Sequence, residues 1–209
     1  FTRCCVMKKE LILCFNKEQA LALVEDVSGN ASSFLSMSDQ LDQYYIPRYM
    51  AEVSEELVHP IPYFAVVNEE GKILLYQRGK GVGESRLAGK HTIGFGGHVE
   101  LWKDCLSLKY YQTNSIKDSI ISAQTNESEE ELVAEWLEDF QHLKVIYDPT
   151  DEVGKMHLGI ASFLPVKSAT TNEEQLIDLG FHSKEELLQM QESGLINLEN
   201  WSLELLWML

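Results

Sequence analysis

At 209 residues, with 44% hydrophobic and 10% aromatic content, the chain is long enough for one sizeable core and has the composition of a folded protein. Its formal charge of −16 argues against nucleic acid or an anionic membrane as a general partner, yet permits a small anionic ligand at a locally positive or cation-bearing site. Cysteines at positions 4, 5, 14 and 105 form no CxxC pair, no histidine cluster has zinc-ligand spacing, and no apolar run reaches membrane-spanning length; reduced thiols and a cytoplasmic location are expected. The opening FTRCCVMKKELILCF has neither an initiator Met nor a leader-like apolar region with a cleavage site, and is read as an expression-derived end.

Glu10–Phe15 is a short apolar run that predicts a first strand, and Lys17–Val27 predicts a helix. After the turn-rich SGNASS, Ser38–Glu56 reads as a second helical segment broken near Pro47. IPYFAVV and KILLYQR, joined by Asn68-Glu-Glu-Gly71, have the composition of a β-hairpin with a four-residue loop. A Gly-rich connection, GKGVGESRLAGK, leads to the strand-like HTIGFGGHVE. Residues 101–127 carry no firm pattern. Ser128 and Glu131 then form an S-x-x-E capping box at the head of an acidic segment, ELVAEWLEDF, which predicts a helix. LKVIYD and MHLGIASFLPV read as two further strands, Ser183 with Glu186 caps a helix ending near Gly194, and Asn197 starts a last one. Strands and helices alternate without repeats, which predicts an α/β fold with an N-terminal helical extension.

Coiled as a helix, ELVAEWLEDF puts Leu132, Val133, Trp136, Leu137 and Phe140 on one side and Glu131, Glu135, Glu138 and Asp139 on the other. Such a side is either a solvated face or a carboxylate cage for a hard divalent cation. The adjacent glycines of FGGHVE permit close approach of the backbone to a ligand, or simply a turn. Between Lys72 and Lys90 lie five of the 17 basic residues, Arg78 and Arg86 among them, against the single acid Glu84. A basic patch beside a metal-holding acidic element suits a polyphosphate ligand, although the same residues also suit a hairpin surface.

GGHVE followed by AEWLED resembles a divergent Nudix box, whose family pattern is G-x5-E-x7-R-E-U-x-E-E-x-G-U. In this match Gly97 takes the first glycine, Glu135 the Glu after Arg, Trp136 the apolar position, and Glu138 and Asp139 the final acidic pair. RYMAE, IPYFAVV, ILLYQR, ESRLAGKHTIGFGGHVE and VGKMHLG are similar to a bacterial and phage subgroup of MutT-like phosphoesterases, over roughly residues 46–165. The resemblance implies a Nudix α/β/α sandwich with a mixed sheet. Residues 1–57 would be an N-terminal strand and helical extension packed on the core, and residues 58–209 a Nudix-like domain with an insertion at about 101–127. The match departs from the pattern in several places: Gly97 and Glu135 are 38 positions apart against the pattern's 15, leaving about 23 residues inserted. Ala134 replaces the box Arg, Asn126 the first Glu, and Gln141-His142 the terminal pair.

For active members the resemblance implies Mg²⁺-dependent hydrolysis of a diphosphate linkage, with Mn²⁺ as the alternative metal and a nucleotide or other diphosphate compound as substrate. Gly97, Glu135, Glu138 and Asp139 would hold the metal, and Arg78 and Arg86 would bind phosphate. Glu135, Glu138 and Glu152 are the catalytic candidates, His98 a substrate contact, and Tyr63 a surface on which a base could stack. His157, within a predicted strand, reads as a packed core histidine. A nucleotide- or partner-binding module without turnover is the competing reading, favoured by Ala134 and the long insertion. An isopentenyl-diphosphate isomerase relative fits poorly, since no Cys stands beside the metal motif. The apolar C-terminal segment with Trp201, Leu205, Leu206 and Trp207 can serve a homodimer as readily as a core.

Overall fold

The computed structural model describes residues 10–79, 89–101, 115–150, 153–172 and 176–209. Its elements run β1 (Leu11–Asn16), α1 (Lys17–Asp26), α2 (Ala31–Met37), β2 (Gln43–Pro47), α3 (Arg48–Ala51), β3 (Leu57–Asn68), β4 (Ile73–Arg78), β5 (His91–Thr92) and β6 (Gly94–Gly96). They continue with α4 (Ile116–Glu131), β7 (Leu132–Trp136), β8 (Gln141–Ile146), β9 (His157–Thr171), β10 (Leu176–His182), α5 (Lys184–Glu192) and α6 (Asn200–Met208).

The organising feature is the long, parallel pairing of β3 with β9, from His59 opposite His157 to Asn68 opposite Val166. On its other edge β3 pairs antiparallel with β1 at Leu57–Val58, with β6 at Tyr63–Ala65 and with β4 at Val67. Pro60 and Pro62 fall in the interval between β1 and β6, where this edge carries no ladder. The Pro62 carbonyl faces Gly96, so both prolines direct their missing N–H to the edge that needs none. β7 and β8 pair antiparallel with the far edge of β9, and β10 pairs with β4.

Alternation along β3 sends side chains into two layers. Ile61, Tyr63 and Ala65 join Leu187, Ile196, Leu205 and Leu206 under α5 and α6, while Phe64 and Val66 join Tyr76, Phe95 and Leu164 on the opposite face. A third cluster sets Leu13, Phe15, Phe34 and Leu35 of the N-terminal elements against Val58, Leu158 and Ile160, with Ile116 and Ile120 of α4. Leu205 and Leu206 are fully buried, each contributing about 1.5–3 kcal/mol of transfer free energy, whereas Trp207 beside them is exposed. The result is a mixed sheet between helical layers, the α/β sandwich expected from the sequence.

Three expectations are corrected. ELVAEWLEDF is not a helix: Leu132–Trp136 is strand β7, and Leu137–Phe140 form the turn into β8. Its apolar pattern reads as well at period two, with Leu132 buried and Val133 and Glu135 exposed, and the long β9 supplies the edge that decides between the periods. Ser128 heads no helix; it lies in the last turn of α4, where its hydroxyl donates to the Thr125 carbonyl. Within Ser38–Glu56, Gln43–Pro47 is strand rather than helix, paired with β1. Among the described residues no helix is long and apolar enough to cross a membrane.

Candidate functional site

α4 starts at Ser115, whose side chain accepts from the Asp118 N–H, and Asp39 accepts from the Ile116 N–H. Its inner stripe is Ile116, Ser119, Ile120, Ala123, Gln124 and Ser128, at helical spacing but half polar. Gln124 is held in that buried layer by donating to the Ser162 hydroxyl of β9. This contact anchors the helix against β9, next to the glycine loop that leaves β6.

There Gly97 and Glu127 meet. A Cβ placed on Gly97 would lie 2.6 Å from Oε2 of Glu127 and 2.8 Å from its carboxyl carbon, so the carboxylate rests on the backbone of this residue. Glu130 and Glu131 follow at i+3 and i+4 and share the Glu127 face of the last turn. Glu131 is near enough to the buried Tyr76 hydroxyl to help raise its pKa, after burial as the main cause. The helix end thus presents three carboxylates on one face, Glu127 against the Gly97 backbone, and carboxylate oxygens are hard donors of the kind divalent cations select.

Glu127 and Glu130 were not singled out from the sequence, and Glu131 only as part of the acidic side of ELVAEWLEDF. With Gly97 fixed, they fall at the box's acidic positions, Glu127 at the Glu after Arg, Glu130 and Glu131 at the final pair and Asp118 at the first acid, while Ser128 stands at the apolar position and Val133-Ala134 at the terminal pair. Gly97 and Glu127 are 30 positions apart against the pattern's 15, which reduces the insertion to about 15 residues. Asn126 stands at the arginine position. The run NESEEE held this signal, but the half-polar inner stripe hid the helix that carries it.

The other predicted residues are dispersed. Glu135 lies on the solvent side of β7 in an exposed ion pair with Lys167 at 3.0 Å, and Glu138 and Asp139 are exposed in the following turn. Arg78 is enclosed: its Nε donates to Glu199 at 2.8 Å, with the two side chains 16% and 8% exposed, and its guanidinium lies 5.9 Å from the Tyr76 ring. Burial opposes the Arg78 charge, but the nearby Tyr76 and Glu199 outweigh it and raise its pKa. Tyr63 is buried, its hydroxyl 3.0 Å from the Ser202 hydroxyl and its ring edge-on to Trp201, and offers no face to a base. Arg86 and Glu152 lie outside the described residues, as does Cys105.

His98 has different company from that expected. It follows Gly97 and faces His59 of β3 and His157 of β9, with all three rings in mutual contact. Sequence spacing did not reveal this cluster, because parallel pairing of two distant strands assembles it.

No protein-family model matches the chain. Protein YmaB of Bacillus subtilis (strain 168) is 30% identical over 154 residues, which cover 73% of this chain and 71% of YmaB. The chain belongs to the YmaB family. Its fold is the Nudix fold: the crystal structure of Tm1382, a candidate Nudix hydrolase, superimposes with a TM-score of 0.73 over 92% of this chain and 94% of that one, at 23% identity. DR0079 from Deinococcus radiodurans is more distant, with 16% identity and a TM-score of 0.48 over 73% of this chain and 82% of its own.

Proposed function

We propose that this YmaB-family protein is a hydrolase of the Nudix type that cleaves a diphosphate linkage in a nucleoside diphosphate-X or similar compound, with Mg²⁺ or Mn²⁺. The observation that carries the reading is the Glu127 carboxylate seated on Gly97, with Glu130 and Glu131 on the same helix face. Those four residues, and not Glu135, Glu138 and Asp139, are the ones that would hold the cation. The donor set suits it: hard carboxylate oxygens on one helix face beside a glycine backbone. A bound divalent cation supplies Lewis-acid polarisation of phosphate oxygens and a more acidic water. The chain's own task is to position the diphosphate and to take a proton from the attacking water on a carboxylate, releasing two phosphorylated or phosphate-bearing products.

A binding module without turnover is the second reading, and Asn126 at the arginine position favours it. Cleavage of ADP-ribose, NADH, dinucleoside polyphosphates, nucleotide sugars and (d)NTPs is followed chromatographically through their phosphate-bearing products, with and without Mg²⁺. Metal-dependent turnover of one class, lost in Glu127→Gln, supports the hydrolase. Nucleotide binding without turnover supports the module.

A further inference from the structure

We propose that His59, His98 and His157 form a second metal site, for one dication of the zinc class, distinct from the carboxylate site. Each contributes one imidazole nitrogen, and these three nitrogens lie within 4.8 Å of one another. Nε2 of His157 is 3.3 Å from Nε2 of His98. Two ligands at about 2.0–2.1 Å from a tetrahedral zinc stand roughly 3.3 Å apart, so this pair already has the spacing of one tetrahedral edge.

The protonation pattern supports a cation here. Nδ1 of His157 is 2.6 Å from the Val153 carbonyl and therefore carries its proton there, which leaves Nε2 with a lone pair directed into the cluster. A carbonyl holding the remote nitrogen is also the outer arrangement that orients histidine ligands. His59 is fully buried, and neither of its ring nitrogens has a hydrogen-bond partner among the described residues. The Ala51 backbone lies near enough to favour its protonated form without reaching hydrogen-bond geometry. An orphaned buried imidazole is unfavourable, and coordination gives one of its nitrogens a partner.

All three rings are also held ready. His59 and His157 are register partners on adjacent strands. His98 is fixed on both sides, by Gly96 paired with Tyr63 and by the Val99 carbonyl accepting from the Leu13 N–H at 2.8 Å. Imidazole suits zinc and its neighbours in the first transition series, whereas Mg²⁺ prefers oxygen; three histidines leave a fourth position for water or an anion.

The inference does not rest on the hydrolase reading. The full chain, stripped with a chelator, is titrated with Zn²⁺ against a chromophoric competitor in excess Mg²⁺. The expected result is one Zn²⁺ per chain, indifferent to Mg²⁺ and unchanged in Glu127→Gln. His98→Gln and His157→Gln each weaken it at least ~100-fold, beyond what loss of an outer-sphere partner costs. Co²⁺ added to the wild type should give the visible spectrum of a four-coordinate, nitrogen-ligated ion, a readout that needs no variant to fold. Absence of zinc uptake, uptake unaltered by His98→Gln, or uptake lost in Glu127→Gln overturns the site.

Discussion

Removing one partner of the Arg78–Glu199 pair tests whether this arginine holds the fold together or serves a phosphate. The pair is bonded at 2.8 Å with the side chains 16% and 8% exposed, and Glu199 sits at the start of α6, where its N–H donates to the His91 carbonyl. Glu199→Gln leaves an enclosed guanidinium facing a neutral amide. Breaking a buried pair this way costs about 3–5 kcal/mol, and since Gln still offers one acceptor, the lower end applies. Against a typical stability of about 5–15 kcal/mol that is a large loss, and it should lower Tm on the order of 10 °C. Arg78→Met strands the carboxylate and should cost as much, while the double variant should recover about 2 kcal/mol of the summed losses. Urea denaturation of the four proteins closes the cycle. A loss below about 1 kcal/mol in Glu199→Gln is the behaviour of an exposed pair and would refute the reasoning. So would an Arg78→Met protein of wild-type stability with impaired turnover.

Gly97→Ala pushes a methyl against the Glu127 carboxylate at 2.6 Å; the fold should survive because a flexible side-chain end can yield, while turnover falls roughly 100-fold through misplacement, as steady-state kinetics would record. Gly94→Ala meets the Tyr63 ring at 2.0 Å, and that ring is packed on Trp201; a stability loss of about 1–3 kcal/mol or more is expected in denaturant melts. The buried Cys14 thiol is pushed by burial from 9.0 up to about 12, so at pH 8 Cys14 should be alkylated far more slowly in native than in unfolded protein, as peptide mapping would record. Because this folded-state pKa is raised, the thiol's contribution is complete below about pH 9 and is lost as pH rises towards 12; Cys14→Ala should flatten that part of a stability–pH curve.

The β3–β4 hairpin was readable because dense apolar runs flank a turn whose Asn68 side chain accepts from the Glu70 and Lys72 N–H groups. The helix after Ser183 was readable because its capping box is local, Ser183 and Glu186 bonding reciprocally. α4 was not, since Ser119, Gln124 and Ser128 fill core-facing positions and erase the apolar period. ELVAEW was read at the wrong period because its short apolar pattern also fits part of a helix. Only the unpaired edge of β9, distant in sequence, selects the strand. On that pairing the acidic site proposed above lies at Glu127, eight residues before Glu135, with Gly97 common to both readings. The histidine cluster depends wholly on the pairing of β3 with β9, which no local spacing encodes.

The most direct test of the acidic site compares Glu127→Gln with Glu135→Gln in the same metal-dependent turnover assay, on the substrate class that the panel identifies. Glu127→Gln should lose activity by orders of magnitude, and Glu135→Gln, which breaks only an exposed pair with Lys167, should keep both activity and stability. Equal activity in the two variants, or loss confined to Glu135→Gln, would contradict the assignment of the carboxylate site to the end of α4.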